Sequence, residues 1–538
     1  MNNRIMLRKL LTGTIGFLTP AIILGMLQSA SLSPVSGEVQ QGVTPAGAFT
    51  AFAFDDHSIP YKENLKLTLA VPDKHPSNPV VRPGPPGSVD ELAAQFYGSV
   101  IRVGDKFRMW YVAISRDKSQ GTEKPYVRIA YAESNDGIRW VKPELGLTSF
   151  NGSSRNNLVR MSPDMDYRQM EPLVSLVLYE PGDPDPARRY KMAAYGRYRS
   201  GTRYPEVPAD NRPSTIYPYF SADGLDWRLA LPSPKADLLD ESEVPFTVRN
   251  NFEIGGLYRF EGLYYAAGQE LWPDISLPDG RPIRRTMVTH WSGDFIRWSN
   301  DKSYSFQRNG YRSVRESLEE AHEPAGVWNR GNVLVGLYGL FHGATIASER
   351  RMDLGLLVSN DGIHFREPIS DHVIIPAGKD GEWDQRGLLH GQGYENVGDK
   401  TYVYYGSWDM SGGGSRGAIG LVTMRRDGIG YLSTYQPGEG QFTTAPILNS
   451  RKGASLYLNV DGFNPGSSMS IELIDRLGKP IPGFSGSDAA QVKTSGLRVK
   501  VSWGHKEALD FINAQYRIRA RFSGPAAAGV KFYAAYIE

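Results

Sequence analysis

Asp136-Gly-Ile-Arg-Trp140 returns along the chain as Asp223-Gly-Leu-Asp-Trp227, Asp294-Phe-Ile-Arg-Trp298, Asp361-Gly-Ile-His-Phe365 and Asp427-Gly-Ile-Gly-Tyr431. The Asp residues lie 87, 71, 67 and 66 positions apart. A phrase recurring at a near-fixed interval marks an array of like supersecondary units. Each copy follows an extended run, such as Val127 to Glu133 or Leu354 to Ser359. The phrase therefore sits at a hairpin tip, where Gly takes a positive φ and the Asp carboxylate caps nearby amides. A second turn-broken pair of strands precedes each copy, for example Ser99 to Val103, Gly104-Asp105, then Lys106 to Ala113. Four strands per unit and five units predict an all-β chain built on a five-bladed β-propeller.

Composition fits an all-β fold: 58 Gly, 36 Pro and 11% aromatic residues supply turn formers and strand formers. The 538 residues exceed the repeat region, so a further domain follows it. From about residue 438 the phrase gives way to alternating runs at Ser455 to Val460, Met469 to Ile474, Leu497 to Trp503, Tyr516 to Phe522 and Val530 to Ile537. Period-two alternation between Gly and Pro turns predicts an antiparallel β-sandwich. The expected division is a signal peptide at 1–30, an irregular Pro-rich lead-in at 31–94, the propeller at 95–437 and the sandwich at 438–538.

Arg4, Arg8 and Lys9 precede an apolar stretch from Leu10 to Leu27, and Ser29-Ala30-Ser31 follows. That order reads as an export signal cleaved near residue 30 and predicts a secreted or periplasmic protein with no stable membrane span after cleavage. Pro20 and the small residues behind it argue against an uncleaved anchor. With no cysteine, the chain has neither disulfides nor thiolate metal sites. A net charge of +2 gives no reason to expect nucleic acid.

In a propeller the innermost strands open onto a shared funnel. Counting back from the first turn of each unit reaches Gln95, Glu171, Glu253, Glu323 (preceded by His322) and His390. Three carboxylates facing one another suit glycosidic bond cleavage. One acid protonates the leaving oxygen, a second carboxylate attacks or activates water, and a third raises the acid's pKa by repulsion. Glu171, Glu253 and Glu323 are accordingly the candidate catalytic residues. Trp272, in Glu270-Leu-Trp-Pro-Asp274, is the best candidate for stacking on a sugar ring, and His322, His390 and Gln95 complete the expected substrate contacts.

Several strings are set aside. Gly413-Gly-Ser415-Arg-Gly417 matches a nucleophile elbow in letters but lacks the strand-turn-helix context. His322-Glu323 lacks the second His of a zinc-protease helix and is followed by Pro324. No catalytic metal and no cofactor are expected; Asp183, Asp185 and Asp380 could join a structural calcium site, although spaced acids in loops are usually solvated.

The propeller resembles the five-bladed glycoside hydrolases related to families 32, 43 and 68, closest to bacterial family 32-like proteins. The residues that carry the likeness are Phe54-Asp55-Asp56-His57, Asn78-Pro79-Val80-Val81, Phe107-Arg108-Met109-Trp110-Tyr111, Lys142-Pro-Glu-Leu-Gly146, Asn151-Gly152 and Asn156-Asn157-Leu158-Val159. Leu473 to Ser485 is similar to the sandwich that closes such proteins. The resemblance implies a glycan substrate and, with blade position, the general-acid role for Glu253. One departure stands out. Family 32 enzymes carry a blade 1 Trp-Met-Asn-Asp-Pro-type motif, whereas Gln95-Phe96-Tyr97 stands here. Fructan or sucrose hydrolysis is therefore not implied; Asp56, Asp90 and Glu91 are the nearest substitutes for the missing carboxylate, and Asp56 and Glu91 are also expected to contact substrate. A non-catalytic carbohydrate-binding propeller is the alternative. The Ser residues two positions before four of the Asp residues also resemble sialidase Asp boxes, which are structural, so a sialidase-like enzyme is a further alternative.

Overall fold

The computed structural model describes residues 48–116, 125–162, 170–198, 214–230, 247–248, 252–270, 285–299, 301–308, 320–342, 350–408, 417–449, 451–511 and 513–538. The expected signal at 1–30 lies outside them. Among the described residues regular structure is β throughout, apart from short 3₁₀ turns, and no helix is long and apolar enough to cross a membrane.

Five antiparallel units carry the repeats. Their inner strands are Ala93–Val103, Met170–Tyr179, Glu253–Phe260, Glu320–Asn329 and Leu388–Val397, and these neighbour one another in that cyclic order until the fifth meets the first. Fifth and first pair directly, in parallel, at Gln392 with Ser99 and Gly393 with Val100. In units 3 and 4 the sheet runs outward in chain order through four strands, ending at Ser303–Phe306 and Val373–Ile375. The outermost strand of unit 5 comes instead from the beginning of the chain, where Asp73–Lys74 pairs with Ile419–Arg425. The inner strands open on one face of the ring, called the upper face below; the first turns and the Asp phrases lie on the lower face.

The Asp phrases clasp neighbouring units. In the first, Gly137 N donates to Ser134 Oγ (2.9 Å), Ile138 N and Arg139 N donate to Asp136 Oδ1 (2.8 and 2.7 Å), and Trp140 Nε1 donates to the Gly137 carbonyl (3.1 Å). Ser221, Ser292 and Ser359 repeat the pattern with Asp223, Asp294 and Asp361. The turn carbonyl then takes a donor from the preceding unit: Tyr404 reaches Gly137 O (2.7 Å), Trp110 reaches Gly224 O (2.7 Å) and Tyr258 reaches Gly362 O (2.8 Å). Gly224 O also accepts from Trp227 Nε1 (3.0 Å), so Trp110→Phe removes one of its two donors and should cost about 1 kcal/mol. Urea unfolding of the variant measures this, and an unchanged midpoint would show that the clasp contributes nothing.

The fifth phrase does not form this turn. Asp427 instead lies buried between ring and sandwich. It accepts from Arg330 Nη2 (3.2 Å), Asn396 Nδ2 (3.0 Å) and Tyr536 Oη (2.7 Å), and its own amide donates to Thr401 Oγ1 (2.8 Å). Arg330 lies over the Trp328 ring, 4.3 Å from its centroid.

Two sheets form the sandwich, and its core gathers residues such as Leu432, Phe442, Leu456, Met469, Ile471, Trp503, Phe522 and Phe532. Of the lead-in read as irregular at 31–94, residues 31–47 lie outside the described residues, and the structure corrects the reading for the rest. Phe49–Phe52 pairs with Lys531–Ile537, Tyr61–Glu63 with Gly440–Thr443, and Leu65–Leu69 with Gly430–Thr434. The sandwich is thus woven from both parts of the chain, and Gly430–Thr434, placed with the repeats on sequence, pairs with it.

Candidate active site

The ring is narrow at its axis because the inner strands carry small residues and break register there. Shifts occur between Gln95 and Ser99, Ile254 and Gly256, His322 and Gly326, and His390 and Tyr394. A Cβ on Gly255 would lie 1.8 Å from the Glu323 carbonyl oxygen, and one on Gly326 would lie 2.4 Å from that of Gly391. Only glycine permits such approach of backbones. Neighbouring strand openings are thereby drawn together.

At the upper face this convergence unites Glu253 and Glu323, both buried. One side chain joins them: Gln269 donates its amide Nε2 to the Glu253 carboxylate and accepts the Glu323 backbone N–H at Oε1 (3.0 Å). Glu323 holds a left-handed backbone, φ 43°, rare for a residue with a side chain. His390 fixes that turn by donating Nε2–H to the Glu323 carbonyl (2.6 Å). Tyr97 hydrogen bonds to the Glu323 carboxylate; burial, and then this negative charge, push its hydroxyl well above the usual phenol range. The Tyr97 hydroxyl also lies 3.4 Å from His322 Nδ1. His322 is flanked by Phe341 and Trp408, with ring centroids 6.0 and 5.7 Å away. Arg285 pairs with Glu320, a further buried carboxylate on the Glu323 strand.

Trp408, which flanks His322, also lines a cavity of about 400 Å³ together with Arg82, Leu92, Trp383 and Gln385. Below the carboxylate cluster the axis is closed. Gln392, in unit 5, reaches across to unit 3, donates Nε2–H to the Leu257 carbonyl (2.6 Å) and accepts the Leu257 amide.

The register count thus finds Glu253, Glu323, His322 and His390 in one place. Gln95 pairs with Val112 on the first inner strand and is half-buried. Glu171 pairs with Arg197 on the second, and its side chain lies outside the described residues, as does all of Trp272. Asp56 and Glu91 are elsewhere. Asp56 is exposed and ion-paired with Arg366 (2.5 Å) near the end of the Arg351–Ser359 strand, on the lower face. Glu91 holds its own loop, accepting the amides of Gly87 (2.6 Å) and Arg116 (3.1 Å). Of the three candidate calcium acids, Asp183 binds Lys191, Asp185 caps a 3₁₀ turn and Asp380 faces Arg386. Among the described residues no cluster of three or more metal-ligating side chains occurs. Tyr97, Gln269 and Glu320 were missed on sequence. The hairpin register that pairs Gln269 with Glu253 was available, since it counts outward from Glu261-Gly262.

Burial pushes both His390 and His290 down to about 4, against the opposing pull of the backbone carbonyls they meet. An unfolded chain takes up these protons first as pH falls through 6.5. The two imidazoles therefore withdraw stability between about 6.5 and 4, and their full contribution is present above 6.5. Denaturation midpoints across this window should fall for the wild type and fall less for His390→Gln; equal slopes would remove His390 from the acid response.

The sequence matches no protein-family model and no curated protein. Among solved structures the chain is similar to an N-acetylgalactosamine deacetylase from F. plautii in complex with blood group B trisaccharide, with 13% identity, coverage of 66% of this chain and 96% of that one, and a TM-score of 0.42. It is similar also to a glycosyl hydrolase from Bacteroides ovatus (13% identity, 72% and 96% covered, TM-score 0.42) and to a thermostable family-43 glycoside hydrolase (12%, 65% and 91%, TM-score 0.39).

Proposed function

We propose that this protein is an exported glycoside hydrolase acting on an oligo- or polysaccharide at the upper mouth of the ring. The observation that carries the reading is the pair of buried carboxylates, Glu253 and Glu323, tied by the Gln269 amide. Cleavage of a glycosidic bond requires two carboxyl groups to flank the scissile oxygen, one as acid and one as nucleophile or base. In this reading Glu253 is the acid and Glu323, hydrogen-bonded by Tyr97, is the carboxylate partner. Glu171, on the adjoining inner strand, supplies the third carboxylate. His322 and Trp408 present the surface on which the sugar is positioned.

The membership is that of the five-bladed hydrolases related to families 32, 43 and 68, without the blade 1 motif that serves fructan chemistry. The test is release of reducing ends by the purified full chain from a panel of plant, algal and bacterial glycans. Turnover of any member that disappears in Glu253→Gln supports the reading. Binding without turnover across the whole panel would replace the hydrolase with a glycan-binding propeller.

A further inference from the structure

A second cavity, of about 560 Å³, opens on the lower face, lined by residues that include Tyr179, Glu180, Arg188, Arg259, Tyr264 and Asn329. It is remote from the carboxylate pair. Leu257, in its roof, stands four residues along the inner strand from Glu253, roughly 13 Å at strand rise. The Gln392 amide bound to Leu257 seals the axis between the two.

The walls are set by ion pairs that leave one charge over. Lys191 is fully buried and contacts Glu180 and Asp183, each at 2.6 Å. Arg259 also meets Glu180 (2.6 Å), and Tyr264 donates to the same carboxylate (2.7 Å). Asp294 is neutralised by Arg297 (2.8 Å). Arg188 is different. Its guanidinium lies over the Phe220 ring, 4.3 Å from the centroid, and Nη2 donates only to the Asp294 carbonyl (3.2 Å). Among the described residues no carboxylate lies within ion-pairing distance of it, although its charge helps to hold the Asp183 carboxyl down, and its Nε is buried with no hydrogen-bond acceptor. A half-buried guanidinium at a cavity wall, without a directly paired carboxylate, favours an anion that can take its open N–H groups. Around it, Tyr179 stacks on Tyr190 at 4.6 Å and stays partly open to the cavity, while Asn329 adds a polar edge.

We propose that this lower cavity binds a carboxylate-bearing sugar, with Arg188 receiving the carboxylate and Tyr179 facing the ring. The site is separate from the proposed hydrolytic centre and stands whether or not that centre is active. Isothermal titration of the full chain with methyl glucuronide, methyl glucoside and acetate tests it. Glucuronide should bind more tightly than either of the others, because it alone offers both the carboxylate and the ring. Acetate binding as tightly as glucuronide would show a simple anion site, and glucoside binding as tightly would show that charge is irrelevant; either overturns the proposal. Arg188→Gln should weaken glucuronide about tenfold or more, the loss of a hydrogen bond to a charged group, with Arg188→Lys intermediate because it keeps charge without the fork. Glu253→Gln should leave this affinity unchanged. Unaltered affinity in Arg188→Gln with an unchanged melting temperature, or no glucuronide binding to the wild type, would overturn the assignment.

Discussion

Glu253→Gln is expected to slow hydrolysis of a natural glycosidic linkage by about 10²–10⁴, the usual loss when a positioned general acid is removed. The fold should survive, because glutamine keeps an oxygen for the Gln269 amide that Glu253 now accepts. The loss should be selective. An aryl leaving group with a low pKa departs without a proton, so activated aryl glycosides should retain far more of their rate than the natural linkage. Parallel assays of the two substrate types on the variant decide the role. A uniform loss would assign Glu253 to the nucleophile or base and move the acid to Glu323. An unchanged natural rate would remove it from the chemistry altogether.

Asp427→Ala is expected to destabilise the protein by about 3–5 kcal/mol, because Arg330 would be left buried without its partner. Burial by itself would raise the Asp427 carboxyl, but Arg330, Asn396 and Tyr536 together hold it down to about 2. The sign follows from that depression. Above the ordinary carboxylate range both folded and unfolded chains carry the charge, and the pairing contributes in full. As pH falls toward 2 the unfolded chain binds the proton first, and the contribution is withdrawn. Urea midpoints measured from neutrality to acid should therefore separate wild type and variant widely at pH 7 and bring them together in acid. A constant gap would mean that the charge on Asp427 does not matter to the junction.

What could be read in advance was what the chain encodes locally. The first four Asp phrases were legible because Ser, Asp and the amides they bind lie within a few residues of one another, as Ser134, Asp136 and Arg139 do. Glu253, Glu323 and His390 were legible because a hairpin fixes which residue opens its strand. The fifth phrase misled. It has Arg425 where the others have Ser, and its Asp is claimed by Arg330, Asn396 and Tyr536 from distant parts of the chain. Asp56 and Glu91 are near in sequence to where the missing motif would stand, and sequence distance does not measure position on a ring. The strands at Phe49–Phe52 and Leu65–Leu69 went unread because their partners lie hundreds of residues away and leave no local trace. Gln269 was hidden by its chemistry, since an amide carries no catalytic signature until the groups it joins are known.

The pairing of Phe49–Phe52 with Lys531–Ile537, the final strand of the chain, also imposes a timetable. The early segment has no lasting partner until the last strand has been made, which at ordinary synthesis rates is on the order of a minute later. During that interval Asp73–Lys74 must wait as well, because the sheet it completes, at Ile419–Arg425, lies near the end of the repeats. Contacts this distant in sequence form slowly even in a finished chain. The ring and sandwich thus share a lock whose two halves are made nearly five hundred residues apart, and it cannot close before the second is present.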